Sequence, residues 1–314
     1  MQIGRGPGDK LSYMRGEALP FEIELQGIEA AKLARLFKGQ SVGDRWADAR
    51  TVYVAATSPE TPAAGEPFMH RFADGTTFLR SGSVARIAVE TPSLAPEHLL
   101  PPALNLALAQ QWARLGLMAL HAAAIKVGDR QILVLGPKAS GKSTMCLAVL
   151  VAQAEILSDD WLLLGQGADE GIACERLREF LMVRDCWASD QLRLRQPDLG
   201  FQRSGARPKQ VLPVQAQTEH FPPSLAINEI WVMTRGRGGR TAESGKQPEN
   251  ATQVLVHLIK AAMPLLFSAR FPLEHAALMK TAQALIQSCP AYRVQSGTDL
   301  VEQPERTLAR LTGG

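Results

Sequence analysis

The chain has 314 residues, 46% of them hydrophobic and 21% charged, a balance that excludes a disordered or fibrous protein. Thirty-four basic residues against 31 acidic leave a net charge of +3, and the two signs are interspersed. That argues against a dedicated nucleic-acid binder, which gathers Lys and Arg on one face. The length suits one large domain or two smaller ones.

The four cysteines, Cys146, Cys174, Cys186 and Cys289, lack metal-ligand spacing and read as free thiols of a reducing compartment. Residues 1–17 are polar and Gly-rich, unlike a signal peptide. The most apolar region, residues 99–127, is broken by Gln110, Gln111, Arg114 and His121, and it falls short of a membrane span. The expectation is a soluble, cytoplasmic protein with no nucleic-acid or membrane partner, in which a homo-oligomer remains open.

In chain order, residues 20–37 begin with strand-like alternation and shift to helical spacing at Ile28, Leu33 and Leu36. Residues 51–56 (TVYVAA) predict a strand, and the proline-rich residues 57–67 a loop. Asp74-Gly75 between apolar flanks predicts a hairpin, and residues 84–89 complete a small β-meander. Pro96 and Pro101-Pro102 then break the chain, so a domain boundary is expected near residue 95. Leu104, Leu106, Leu108, Trp112, Leu115, Leu117 and Met118 recur at helical spacing and predict a buried helix over 103–120 that opens the second domain. On this reading His121 stands at a helix end, where a histidine is favoured by the dipole whatever its function.

From His121 onward the pattern is α/β. Two apolar runs around Gly128-Asp129 predict a hairpin feeding a buried strand at 131–135. A helix follows from Lys142 to about Gln153, and then a strand over 155–158. Residues 225–233 (LAINEIWVM) predict another strand, residues 235–245 a loop, residues 250–267 and 273–287 helices, and residues 292–295 a closing strand. Trp112, Trp161, Trp187 and Trp231 have apolar surroundings and are expected in the core.

Between the buried strand and its helix lies Gly136-Pro-Lys-Ala-Ser-Gly-Lys-Ser-Thr144, the full G-x4-G-K-S phosphate-loop pattern. Gly136 turns the chain sharply, and Gly141 lets the backbone lie against phosphate oxygens. Successive N–H groups and the positive end of the helix cradle the anion. Pro137, Lys138, Ala139 and Ser140 fill the variable positions. Lys142 is expected to stay exposed until it reaches the β- and γ-phosphates; Ser143 offers its hydroxyl to Mg²⁺, with Thr144 behind it. Asp159-Asp160 ends the next strand, close to the loop if both strands end at one crevice. One carboxylate can hold Mg²⁺ while the other takes a proton from an attacking hydroxyl, but adjacent strand residues face opposite ways, so both can act only across a bend.

The order His121, 133–144 (LVLGPKASGKST), 156–160 (ILSDD) resembles the HPr kinase/phosphorylase family, and more closely its HPr-kinase-related members. The resemblance is firm over about residues 100–165 and extends in outline over 225–300. It implies an α/β phosphate-loop core, shared with phosphoenolpyruvate carboxykinases; the small β-rich N-terminal domain (1–95), read from the residues themselves, could be the acceptor-recognition element. It implies that Gly136 to Thr144 bind ATP, that Ser143 and one of Asp159 and Asp160 bind Mg²⁺, and that the other aspartate is the base, supported by His121. The acceptor it implies is a serine of a peptide or protein, as in tailoring kinases of lasso-peptide precursors. The family's later acidic and arginine positions find only candidates, Glu175, Arg178, Arg184, Arg207 and Lys209, each of which a structural ion pair would also explain. The N-terminal residues differ from the family's, which sets HPr itself in doubt as substrate. A small-metabolite kinase uses the same core, and a non-catalytic nucleotide switch is the reading from another class. A carboxykinase would need a further metal and carboxylate site, for which no upstream cluster is visible. Residues 235–240 (RGRGGR) could clamp phosphate or form a solvated loop.

Overall fold

The computed structural model describes residues 10–13, 21–26, 51–56, 68–72, 76–81, 84–89, 102–114, 116–166, 171–176, 180–184, 190–191, 202–203, 209–213, 224–234 and 243–313. It is a mixed α/β protein whose chain divides into two compact units, residues 1–115 with 268–275, and residues 116–267 with 276–314.

The first unit is built on one antiparallel sheet of six strands. These are β1 (Lys10–Tyr13), β2 (Phe21–Gln26), β3 (Thr51–Ala56), β4 (Phe68–Arg71), β5 (Thr76–Ser81) and β6 (Val84–Val89), in the order β1-β2-β3-β6-β5-β4. The predicted hairpin is present as the β4–β5 pair, in register from Phe68↔Arg80 to Arg71↔Thr77; its Asp74-Gly75 tip, the helical stretch at 28–36 and the loop at 57–67 lie outside the described residues. Helix α1 (Pro102–Arg114) packs on β3, β5 and β6. It therefore belongs to the first unit, and does not open the second as the proline breaks suggested. Residues 268–275 return to the same unit: Phe271 meets Phe68 edge-on with ring centroids 5.1 Å apart. Buried Glu274 accepts from Gln110 Nε2 at 2.9 Å and from Arg114 Nε at 2.8 Å.

The helix predicted over 103–120 stops at Arg114. Gly116 takes φ +74, the left-handed conformation that closes helices, and Met118 onward is a strand. A short apolar run fits either a helix turn or a buried strand, and here pairing with a neighbour decides. That strand, β7 (Met118–His121), opens the second unit. Then come β8 (Ala123–Val127), β9 (Arg130–Leu135), helix α2 (Lys142–Val151), β10 (Glu155–Ser158), β11 (Trp161–Gln166), β12 (Ile172–Arg176), β13 (Phe180–Arg184), β14 (Gln202–Arg203), β15 (Lys209–Pro213), β16 (Ser224–Ala226), β17 (Glu229–Thr234) and β18 (Gly245–Pro248). Helix α3 (Ala251–Ala261), a 3₁₀ turn at Pro264–Phe267, α4 (Pro272–Ser288), β19 (Ala291–Gln295), α5 (Asp299–Glu302) and α6 (Pro304–Thr312) complete the chain.

The central sheet has the order β10-β8-β9-β17-β19-β18, and a second sheet the order β16-β12-β11-β7. β9, β17 and β19 run parallel, while β8 is antiparallel both to β9 and to β10. It follows that β9, β10, β17 and β19 all end at the same edge. The hairpin at Gly128-Asp129 forms as predicted, with Gly128 at φ +57. The strand predicted over 225–233 is two strands. The break falls at Ile227-Asn228, where Asn228 leaves the ladder: its Nδ2 donates to Asp129 O and its Oδ1 accepts from Gln131 N, both at 2.9 Å. Helix α2 packs on β8 and β10 on one side and on α5 and α6 on the other, burying Met145, Leu147, Val149 and Leu150. Trp112 and Trp231 are core residues, but Trp161 is only partly buried and Trp187 lies outside the described residues. Cys146, Cys174 and Cys289 are free and buried; Cys186 lies outside the described residues. Among the described residues no helix is long and apolar enough to cross a membrane.

Candidate active site

The phosphate loop lies where the pattern required, between the end of β9 and the start of α2. Gly136 has φ +148, Ala139 φ +62 and Gly141 φ +103. A Cβ at Gly136 would fall 2.7 Å from the Met233 carbonyl oxygen and 2.7 Å from Ser140 Oγ, so no side chain fits where β9 passes against β17. A Cβ at Gly141 would meet Ser296 Oγ at 3.2 Å. Pro137, Lys138 and Ala139 are exposed, Ser140 is buried, and Ser143 and Thr144 are half-buried in the first turn of α2. The N–H groups of a first helical turn have no intrahelical acceptor, which suits them to an anion.

Lys142 departs from the expectation of exposure. It is buried, at 6% exposure, and its Nζ donates to Gly136 O at 2.7 Å and to Pro137 O at 3.2 Å. The side chain folds back over its own loop because the two carbonyls there need donors. Burial pushes the Lys142 ammonium below its ordinary value, while the charges of Asp160, Cys146 and Asp159 pull it up.

The bend that the paired acids required is present. β10 pairs with β8 in the central sheet, and β11 pairs with β7 in the second. The chain passes between sheets twice, at Ala122 and at Asp159-Asp160, with a register shift in β10 between Ile156 and Ser158. Ser158 Oγ donates to Trp161 O at 3.0 Å and accepts from Asp160 N at 3.4 Å, which braces the corner. Because Trp161 stands opposite His121 in register, the corner carries Asp160 onto the imidazole: His121 Nε2 lies 2.8 Å from Asp160 Oδ1. His121 is a strand residue and owes nothing to a helix end. Its side chain is 45% exposed, with the Trp161 ring beside it at 6.2 Å between centroids. Asp159 turns inward and is 4% exposed. Its charge also acts on Cys146, whose thiol burial pushes well above its ordinary value. Cys146 stands three residues after Ser143 on α2, so the two share a helix face.

The remaining candidates are placed only by strand and register. Glu175 lies on β12 opposite Leu163, and Arg184 and Lys209 face each other in register across β13 and β15. Arg178, Arg207 and residues 235–240 lie outside the described residues. Two loop neighbours escaped sequence reading, Met233 and Ser296, at the ends of β17 and β19. The only signal was their place at or just after the ends of predicted strands. The turn carrying Ser296 is held by Gly297 N donating to Ser244 Oγ at 2.8 Å, by Ser244 Oγ donating to Asp299 Oδ1 at 2.7 Å, and by Arg310 NH2 on Asp299 Oδ2 at 2.6 Å.

For Mg²⁺ the donor chemistry fits: a hydroxyl (Ser143) and carboxylates (Asp159, Asp160) are hard oxygen ligands of the kind that ion takes beside phosphate. Among the described residues no group of three or more His, Cys, Asp or Glu could hold a metal by itself. The chain's own share would be small and the phosphates would supply the rest.

No family model matches the chain, and no curated protein matches it. A solved structure described as the Hpr(Ser) kinase/phosphatase from Coxiella burnetii is similar at 10% identity and a TM-score of 0.32, over 62% of this chain and 93% of that one. Similarity at that level does not establish a shared fold, and the functional case rests on the residues.

Proposed function

We propose that this chain is an ATP-dependent kinase that transfers the γ-phosphoryl group to a hydroxyl, with a serine of a peptide or protein, such as a ribosomal peptide precursor, as the acceptor. The observation that carries the reading is the arrangement of a complete phosphate-loop pattern after β9, two carboxylates after β10, which ends at the same sheet edge, and a histidine 2.8 Å from one of them. Gly136 to Thr144 hold the phosphates of ATP, and Lys142 turns from its loop carbonyls to the β- and γ-oxygens. Bound Mg²⁺ would neutralise phosphate charge as it develops. Asp159, which turns inward and is buried, is assigned to the metal side.

Asp160 is assigned as the base. It stands beside the half-exposed His121. The carboxylate takes the hydroxyl proton while the imidazole orients it. The β-rich N-terminal unit is proposed as the acceptor-recognition element.

The test is steady-state kinetics and Mg·ATP binding for Asp159→Asn and Asp160→Asn. Asp160→Asn should lose kcat and keep Mg·ATP affinity, whereas Asp159→Asn should lose both. Identical behaviour of the two variants would refute the division of roles. Full activity in both would refute the kinase reading.

A further inference from the structure

Ser140 is a polar side chain that the proposed chemistry leaves without a task. It is 5% exposed, and its Oγ is fully buried with no hydrogen-bond partner. A buried hydroxyl in that state costs stability unless something else uses it. Its backbone is already committed, with Ser140 N donating to Pro137 O at 3.2 Å. Its oxygen lies against the Gly136 backbone, 2.7 Å from the point where a Cβ of Gly136 would be.

The two carbonyls of this loop are served unequally. Pro137 O accepts from both Ser140 N and Lys142 Nζ, whereas Gly136 O accepts the shorter bond from Lys142 Nζ, at 2.7 Å. Resting on the nucleotide-binding reading above, Lys142 must let go of both when it turns to phosphate. Pro137 O then keeps the Ser140 N–H. Gly136 O loses its ammonium donor.

We propose that Ser140 is a positioning residue whose hydroxyl takes over the Gly136 carbonyl when Lys142 swings to the phosphates. The hydroxyl lies against the Gly136 backbone with no bond of its own, so it is at hand as a donor when Lys142 leaves. Ser140 thereby sets how readily the lysine leaves its loop.

The role separates from a structural one by the sign of its effects. Ser140→Ala removes an unpartnered hydroxyl, so without nucleotide its melting temperature should equal or exceed that of the wild type. The same variant should weaken Mg·ATP binding about tenfold in calorimetric titration, because the vacated carbonyl goes unmet. In a Lys142→Met background there is no ammonium to release. There Ser140→Ala should change the Mg·ATP dissociation constant by less than about twofold, read as a double-mutant cycle. A lowered melting temperature, an unchanged affinity in the single variant, or additive effects in the cycle would each overturn the proposal. If the wild type binds no Mg·ATP at millimolar concentration, the nucleotide reading itself falls and takes this one with it; if it binds and Ser140→Ala binds equally, only this one falls.

Discussion

Replacing Lys142 by Met separates the lysine's two situations. Without nucleotide, Met gives up two ammonium hydrogen bonds, to Gly136 O at 2.7 Å and Pro137 O at 3.2 Å. Bonds to a charged group contribute roughly 1.5–3 kcal/mol each. Met also removes a buried ammonium, whose desolvation costs several kcal/mol. The two nearly offset, so unfolding free energy should move by no more than about 1 kcal/mol, a few degrees in melting temperature. With Mg·ATP the balance is one-sided. An ammonium about 4 Å from a phosphate charge gains roughly 4 kcal/mol at an effective dielectric near 20. Leaving the loop gives up those bonds together with the burial cost that nearly offsets them, a net change of no more than about 1 kcal/mol, which leaves about 3 kcal/mol, or a roughly 150-fold weaker dissociation constant for the variant. Calorimetric titration and scanning calorimetry measure the two sides. The pH dependence adds a check. Burial lowers the Lys142 pKa from its ordinary 10.5, so between the lowered value and 10.5 the unfolded chain binds more protons than the folded one. Stability of the wild type should therefore rise relative to Lys142→Met as pH climbs toward 10.5. Mg·ATP affinity within threefold of wild type, or a large drop in melting temperature without nucleotide, would refute the reasoning.

His121→Gln should lower kcat about tenfold with the KM for ATP unchanged, since the imidazole meets Asp160 and not the phosphates. An equal rise in the KM for ATP would place it on the nucleotide instead. Two glycines with positive φ should behave differently in chemical denaturation. Gly128→Ala, with φ +57 and nothing within 4 Å of the new Cβ, should cost about 1 kcal/mol. Gly136→Ala, at φ +148 with a backbone oxygen 2.7 Å away, should cost about 3 kcal/mol or more and abolish nucleotide binding. Equal costs would mean that the close approach of β17 to the loop is not maintained in solution.

The phosphate loop was legible in the sequence because its demands are local. A strand must end, two glycines must turn, and a helix must begin, all within consecutive residues. The Gly128-Asp129 hairpin, α2, β10 and β19 were legible for the same reason. The helix expected over 103–120 was not, because Met118 to His121 carries an apolar run that suits helix or strand. Only pairing with Trp161 to Leu164 settles it. That pairing also explains why His121 and Asp160 meet. Their separation in the chain says nothing of it, whereas the register Trp161↔His121 across two matching corners imposes it.

The burial of Lys142 was hidden for a related reason. The motif states what the lysine does with a phosphate, but its partners Gly136 O and Pro137 O depend on how the loop curls. Sequence by itself determined the glycine-bearing loop between β9 and α2, the acids that follow it and the mixed character of the chain, because each rests on neighbours in sequence. Tertiary structure alone decided which acid faces the histidine, which turns inward, and that Met233 and Ser296 close upon the loop. Those are contacts between strands whose order and direction follow from hydrogen bonding across the sheet, and no local pattern encodes them.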